Sequence, residues 1–158
     1  MNKNYGRVPA AQVRIRKARP GDMPGILDIY SAAFAGVKRA SPAKAAKIFA
    51  RMKSYPDYNL YVAVSAGRAA GVFALLIMDN LVNDGTPSAV VEDVAVSPAW
   101  QGRGVGKMMM RFALDACRKA GCYKMALSSN RKRVSAHRFY ESLGFKRHGY
   151  SYLVNINK

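Results

Sequence analysis

The chain has 158 residues, half of them hydrophobic, and a formal net charge of +17 at pH 7. This length suits one domain with one packed core, and the chain has no run of about eighteen apolar residues that could span a membrane as a helix. The strong positive charge predicts a polyanionic partner, either a nucleic acid, an anionic membrane or a phosphorylated small molecule, and charge alone does not distinguish these.

The N-terminal residues 1–12 are polar and lack the apolar segment of a signal peptide, so we expect a flexible tail before a domain over residues 13–158. Cys117 and Cys122 are separated by four residues, which matches neither a Cys-x-x-Cys motif nor a zinc pattern. We therefore expect two reduced thiols, no metal site and a cytoplasmic location.

Periodicity and turn residues predict an alternation of strands and helices. The predicted elements are a strand at 13–16, helices at 23–34 and 42–54, hairpin strands at 59–65 and 70–78, a strand at 89–96, a helix at 105–119, a strand at 122–128, a helix at 135–143 and one or two strands within 145–156. Asp22 and Ser41 are the expected N-caps of the first two helices, and Gly121 and Gly144 are expected to end the last two. This order predicts an α/β domain with a mixed sheet.

The most informative segment, residues 91–106, reads as a strand, a turn, a glycine-rich loop and the start of a helix. Glycines at 102, 104 and 106 let the backbone turn tightly and approach a ligand closely. The loop amides and the helix N-terminus carry partial positive charge, so the segment predicts a pyrophosphate cradle. It is not a Walker A loop, because no Gly-Lys-Ser/Thr ends it, and the early βαβ unit of a dinucleotide fold is absent from the predicted order.

Two motifs, in the correct order, resemble the GNAT superfamily of acetyl-CoA-dependent N-acetyltransferases. Residues 101–106 are similar to its Gln/Arg-x-x-Gly-x-Gly/Ala loop, and residues 139–145 are similar to its second signature. The opening residues 13–22 look like its first strand and helix cap, so the resemblance covers residues 13–154. It implies a single GNAT-like domain with a mixed, mostly antiparallel sheet flanked by helices, and acetyl transfer from acetyl-CoA to an amine.

The resemblance also implies which residues bind acetyl-CoA. In the family, the strand before the loop presents backbone groups to the pantetheine arm, and many relatives have a cofactor-binding Asn seven residues before the motif tyrosine, where this chain has Arg133 and places Asn130 three residues earlier. The expected cofactor-binding residues are Val94, Ala95, Val96, Gln101, Gly102, Arg103, Gly104, Val105, Gly106, Lys107, Asn130 and Arg133.

Acetyl transfer requires that the amine lose a proton and that the departing thiolate be protonated or stabilised. Glu92 is the candidate base, and strand alternation predicts that it lies with Val90 and Val94 on one face, with Asp93, the alternative base, on the other. Periodicity alone favours Tyr140 as a core aromatic residue, but the family motif implies that it is the acid. A phenol of pKa about 10 stays protonated at neutral pH.

Shorter local similarities suggest the acceptor. Residues 92–96 with 121–124 are similar to glucosamine-phosphate acetyltransferases, and residues 127–133 with 136–140 are similar to aminoalkylphosphonate acetyltransferases. Together with the net charge, these similarities predict the primary amine of a small anionic metabolite as acceptor.

Three different functions are also compatible with the sequence: a protein or peptide N-acetyltransferase, a non-catalytic acetyl-CoA sensor, and a nucleic-acid-binding protein. The last is disfavoured because the aromatic residues follow core periods and no nucleic-acid-binding motif is present. We expect neither a specific nucleic acid nor a membrane as partner. Dimers are frequent in the superfamily, so a homodimer is compatible with the resemblance.

Overall fold

The computed structural model describes residues 13–34 and 36–156, so the predicted tail at 1–12 lies outside the described residues. The chain divides after Ala126 into two compact units. Within the described ranges, the helices are too short or too polar to cross a membrane.

The first unit is built on a five-stranded sheet of order β1-β2-β3-β4-β5. Neighbouring strands are antiparallel from β1 to β4, and β5 runs parallel to β4, which requires a crossover connection. The predicted α/β class with a mixed, mostly antiparallel sheet is confirmed. The strands are β1 Arg14–Lys17, β2 Tyr58–Ser65, β3 Arg68–Met78, β4 Ser88–Val96 and β5 Lys124–Ala126.

Four α-helices occur in the described residues: α1 Met23–Ala33, α2 Pro42–Met52, α3 Val105–Lys119 and α4 Val134–Glu141. Ser41 caps α2 as predicted, because its Oγ accepts a hydrogen bond from the Lys44 amide at 3.3 Å. Asp22 stands at the predicted N-cap position of α1, but its side chain makes no capping hydrogen bond there. Its carboxylate is held by the Arg16 guanidinium in a two-point contact at 2.6 and 2.9 Å, and this hydrogen bonding lowers the pKa of Asp22.

Helices cover both faces of the sheet. On one face, Ile26 and Ile29 of α1 and Phe49 of α2 join a buried cluster with Val62 and Val72. Residues one position along the strands point to the opposite face. There, the ring of Tyr61 on β2 lies 5.1 Å from the ring of Phe73 and 5.1 Å from that of Phe112 on α3.

The buried stripe of α3 differs from the predicted one. The 3.6-residue period of the sequence predicts that Met108, Phe112 and Ala116 share one face with Val105, Met109 and Ala113, but Met108, Phe112 and Ala116 are only half-buried. The stripe instead follows the i, i+4 row of the helix, because that row faces the sheet along the whole length of α3. The buried members of this row are Val105, Met109, Ala113 and Cys117, and Met110 beside the row is buried as well.

The second unit contains α4 and the segment after it. The predicted strand or strands within 145–156 are wrong, since the described residues 145–156 contain no strand. A strand needs a neighbour to pair its amides and carbonyls. Here the apolar side chains that made the segment resemble a strand are exposed rather than packed: Tyr150, Tyr152, Leu153, Val154 and Ile156.

Candidate active site

Strand β4 carries a β-bulge at Asp93. Glu92 pairs with Ala74 and Ala95 pairs with Val72, so two residues of β4 lie opposite the single intervening residue of β3. Asp93 has a φ of 51°, in the left-handed region that non-glycine residues adopt at a cost of about 1–2 kcal/mol. Such strain in the middle of a strand is characteristic of functional sites.

The bulge brings the Glu92 and Asp93 carboxylates to the same side of the sheet. Tyr58 belongs to the cluster under α1 and α2. Its pKa is raised first by burial and then by the charges of both Glu92 and Asp93. The register supports this placement: Glu92 and Ala95 pair with Ala74 and Val72, which both belong to that cluster, so the predicted regular alternation, with Glu92 and Val94 on one face and Asp93 on the other, is wrong.

Tyr30 of helix α1 lies within electrostatic range of the Asp93 carboxylate. Burial raises the pKa of the Tyr30 phenol strongly, and the charge of Asp93 raises it further. The Tyr30 ring also contacts the Phe34 ring, with centroids 5.7 Å apart. Asp93 itself is partly exposed, yet the surrounding protein removes enough water to raise its pKa.

Glu92, Asp93, Tyr30 and Tyr58, called the acidic cluster below, can therefore bind an amine and accept a proton from it. Carboxylates beside neutral phenols can hold an ammonium group, and a carboxylate with a raised pKa accepts a proton more readily. Sequence reasoning did not single out Tyr30 and Tyr58, and both also pack against the core cluster. The adjacent acidic pair, Glu92 and Asp93, was the one available signal, and nothing in the sequence indicates the bulge that brings them together.

The second half of β4 has an open edge. Strand β5 pairs with β4 only at Ser88–Val90, so no described strand of the first unit pairs with residues 91–96 on that side. Backbone groups on this edge thus lack a strand partner within the first unit, and the contact of Val94, Ala95 and Val96 with a pantetheine arm stays a prediction.

The glycine loop that follows β4 contains two glycines with left-handed backbones and open space beside them. Gly102 and Gly104 have φ values of 71° and 80°, and a Cβ at either position would meet no described atom within 4 Å. The first helical hydrogen bond of α3 runs from the Met108 amide to the Gly104 carbonyl at 3.0 Å. The amides of Val105, Gly106 and Lys107 therefore lie outside the helical ladder and can bind an anion.

Side chains of the loop support this geometry. The Gln101 amide group donates to the Val96 carbonyl at 3.2 Å, which ties the loop to the end of β4. The Arg103 guanidinium lies 5.3 Å from the centre of the Trp100 ring. Lys107 is exposed in the first turn of α3, so cations flank the predicted pyrophosphate position.

In the second unit, Asn130 organises the turn before α4. Its Oδ1 accepts a hydrogen bond from the Lys132 amide at 2.9 Å, and its carbonyl accepts one from the Arg133 amide at 2.9 Å. This is an Asx turn. The side chain of Asn130 thus has a structural partner, and its contact with the cofactor stays a prediction.

Tyr140 lies in the last turn of α4, between two other aromatic rings. Its ring centroid is 5.2 Å from that of Phe139 and 5.7 Å from that of Phe145. Burial raises the pKa of the Tyr140 phenol, and the charge of Arg133 opposes this rise. The seven-residue spacing of Arg133 and Tyr140, two helical turns, is the sequence signal that could have linked the two residues.

Comparisons with known proteins fit this geometry. The model of the acetyltransferase (GNAT) family matches residues 23–145. A solved structure of an Agrobacterium tumefaciens protein assigned as an acetyltransferase is 32% identical, with a TM-score of 0.86, and the match covers 90% of this chain and 99% of that protein.

Three curated relatives match shorter segments. A glucosamine 6-phosphate N-acetyltransferase of Trypanosoma brucei brucei is 37% identical over 52% of this chain and 54% of its own length. An aminoalkylphosphonate N-acetyltransferase of Salmonella typhimurium is 29% identical over 58% of each chain. An aminoglycoside N(6')-acetyltransferase of Stenotrophomonas maltophilia is 30% identical over 51% of this chain and 54% of its own length.

The chain thus spans little more than half the length of these curated relatives. The family model, in contrast, covers most of the chain, including the bulged strand, the glycine loop and α4. On this basis the chain belongs to the acetyltransferase (GNAT) family, whose co-substrate is acetyl-CoA.

Proposed function

We propose that the chain transfers the acetyl group of acetyl-CoA to the primary amine of a small anionic metabolite. The observation that carries this proposal is the continuity of β4 with the glycine loop. One strand bears the Glu92 and Asp93 carboxylates and leads into the open loop at Gly102 and Gly104. A base for the amine and a cradle for the cofactor are thus supplied by one short segment.

In this proposal Glu92 removes the proton from the attacking amine. An ammonium group has no lone pair, so it must lose a proton before it can attack the thioester carbonyl. The amine nitrogen then bonds to that carbonyl carbon, the carbon–sulfur bond breaks, and the CoA thiolate leaves. Tyr140 supplies a proton to this thiolate, since burial keeps its phenol protonated at neutral pH.

The acidic cluster is proposed to hold the cationic end of the acceptor. Asp93 provides the negative charge, and Tyr30 and Tyr58 provide neutral walls whose phenols do not ionise near neutral pH. Asp93 is also the second candidate base, because its raised pKa suits proton transfer.

The anionic end of the acceptor is proposed from the overall charge. A chain of net charge +17 attracts phosphate, phosphonate and carboxylate groups and repels polycations. Two of the three curated relatives act, by their names, on a phosphorylated or phosphonylated amine. The third relative is, by its name, an aminoglycoside acetyltransferase, and this similarity argues for a cationic acceptor instead. Acetylation of a protein or peptide, or non-catalytic sensing of acetyl-CoA, would use the same cofactor cradle without an anionic amine.

We also propose that the chain is cytoplasmic and forms a homodimer. Cys117 and Cys122 are free thiols, which fits the reducing cytoplasm. A homodimer would cover the exposed apolar side chains near residues 150–156, which are unfavourable in water.

The test is a thiol-release assay with acetyl-CoA and a panel of amines, with mass spectrometry of each product. The panel contains amino sugar phosphates, aminoalkylphosphonates, aminoglycosides, polyamines and peptides. We expect acetylation of the anionic amines and its loss in Glu92→Gln. Acetyl-CoA binding without acetylation of any amine would favour a sensor, and exclusive acetylation of aminoglycosides or peptides would refute the anionic acceptor.

A further inference from the structure

The C-terminal end of α3 brings the two cysteines of the chain together. The Cys122 amide donates to the Cys117 carbonyl at 3.0 Å, and the Gly121 amide donates to the Arg118 carbonyl at 3.1 Å. Gly121 has a φ of 74°. These nested bonds around a left-handed glycine form a Schellman motif, in which the side chains of the first and sixth residues frequently make contact. Here those two residues are Cys117 and Cys122.

The two thiols differ in their surroundings. Cys117 is 4% exposed, and its Sγ lies 3.5 Å from the Sδ of Met125 on β5. Burial, followed by the charge and hydrogen bonding of Cys122, raises the pKa of Cys117 to about 11. Cys122 is half-buried and can be reached by a small reagent. Both are free, so the pair is a dithiol fixed by the cap of a helix.

We propose that Cys117 and Cys122 form a site of reversible oxidation that closes to an intrachain disulfide in the presence of a small disulfide such as oxidised glutathione. A disulfide requires Cα atoms about 4.4–6.8 Å apart, and a direct backbone hydrogen bond between the two residues keeps them close. The inference depends only on the geometry of this helix end and is independent of the proposed acetyl transfer.

The chemistry proceeds by two thiol–disulfide exchanges. The Cys122 thiolate attacks one sulfur of oxidised glutathione, forms a mixed disulfide and releases one glutathione thiolate. The Cys117 thiolate then attacks the Cys122 sulfur and releases the second glutathione. The protein loses two protons and two electrons, and oxidised glutathione is reduced to two thiols. We expect the second step to be the slower one, because the raised pKa of Cys117 leaves little thiolate at neutral pH.

The consequence of closure is local and structural. Helix α3 begins directly after the glycine loop and ends at Lys119, and β5 begins at Lys124. A 117–122 disulfide would covalently join the last turn of that helix to the residues that enter β5. It would also redirect the Cys117 sulfur away from Met125, whose thioether it now contacts.

The test uses the intact protein, incubated with increasing ratios of oxidised to reduced glutathione and then alkylated and weighed by mass spectrometry. We expect a species lighter by two hydrogens, unreactive to alkylation and restored by dithiothreitol. Trypsin should then release residues 112–118 linked to residues 120–124, because cleavage after Arg118 and Lys119 separates the two cysteines unless they are bonded.

The matched control is Cys122→Ser, which leaves the buried Cys117 and its packing intact. We expect this variant to keep one alkylatable thiol at every glutathione ratio. The proposal is overturned if the wild-type protein keeps both thiols, if it stops at a stable glutathione adduct on Cys122, or if it crosslinks two chains instead of closing within one.

Discussion

Burial raises the pKa of the Tyr30 phenol on α1, and the Asp93 carboxylate on β4 raises it further, so charge on the bulged strand acts on this helix. This relationship depends on the left-handed backbone of Asp93, because a regular strand would turn Asp93 toward the opposite face. The bulge thus brings an acidic group within electrostatic range of α1 at the cost of backbone strain.

Asp93→Asn should stabilise the folded chain near neutral pH. Burial raises the pKa of Asp93 in the folded state, so its contribution to stability is complete below the unfolded pKa of about 3.9 and is lost as pH rises through the folded value. Asparagine removes the charge and tolerates a positive φ. In thermal unfolding scans we expect a higher Tm than wild type at pH 7 and no difference near pH 3.

Asp57→Asn is the matched control, since Asp57 has the same φ of 51° and directly precedes β2. It should leave the Tm at pH 7 nearly unchanged. An equal or lower Tm for Asp93→Asn than for Asp57→Asn at pH 7 would show that Asp93 carries no burial cost.

Gly104→Glu should abolish acetyl-CoA binding while the chain remains folded. A Cβ at this position meets no described atom within 4 Å, and the carboxylate would place a negative charge where the pyrophosphate is expected. Isothermal titration calorimetry measures the affinity, and circular dichroism confirms the fold. Gly104→Ala has the same backbone strain at φ 80° without the charge and should weaken binding only modestly.

Gly121→Glu is a second control, because Gly121 also has a positive φ, 74°, but lies at the opposite end of α3. It should bind acetyl-CoA like the wild type. If Gly104→Glu bound acetyl-CoA with unchanged affinity, the assignment of the loop would fail.

Much of this fold follows from local sequence patterns. The bounds of α3, 105–119, were predictable because a clear 3.6-residue period lies between two glycines that take positive φ values, Gly104 and Gly121. The hairpin of β2 and β3 was predictable because its turn residues separate two apolar runs. In each case neighbouring residues determine the local conformation.

Other features depend on contacts between distant segments, and no local sequence pattern predicts them. The bulge at Asp93 arises from the register of β4 against β3, and strand alternation predicted the wrong face for its side chain. Asp22 has the sequence of a helix cap, but the Arg16 guanidinium competes successfully for its carboxylate. The segment at 145–156 has strand-like alternation, yet alternation indicates a pattern of side chains and does not provide a partner for the backbone.

Tyr140→Phe should reduce turnover by about a hundredfold to ten-thousandfold, the usual contribution of a general acid. Acetyl-CoA affinity and the Tm should change little, because the ring and its contacts with Phe139 and Phe145 are retained. Steady-state kinetics on a confirmed acceptor measure kcat. Tyr150→Phe, which removes the hydroxyl of an exposed tyrosine in the same unit, should be neutral. Turnover within twofold of wild type for Tyr140→Phe would leave Tyr140 as a packing residue.

Arg133→Gln should move the alkaline limb of the pH–rate profile to higher pH. The charge of Arg133 lowers the pKa of Tyr140, so its removal raises that pKa, and an acid that must be protonated stays active to higher pH. Arg131→Gln, an exposed change in the same turn, should leave the limb in place. A shift to lower pH in Arg133→Gln, or equal shifts in both variants, would contradict the proposed influence of Arg133 on Tyr140.

The central claim, acetylation of a small anionic amine, is tested most directly by the specificity constants for a matched pair of acceptors. The pair is an aminoalkylphosphonate and the neutral aminoalcohol of equal chain length, assayed with saturating acetyl-CoA at low salt, where charge acts over the longest range. We predict a higher kcat/KM for the phosphonate and a smaller difference as salt is added. Equal constants for the two compounds, or a clear preference for a polyamine over both, would contradict the account.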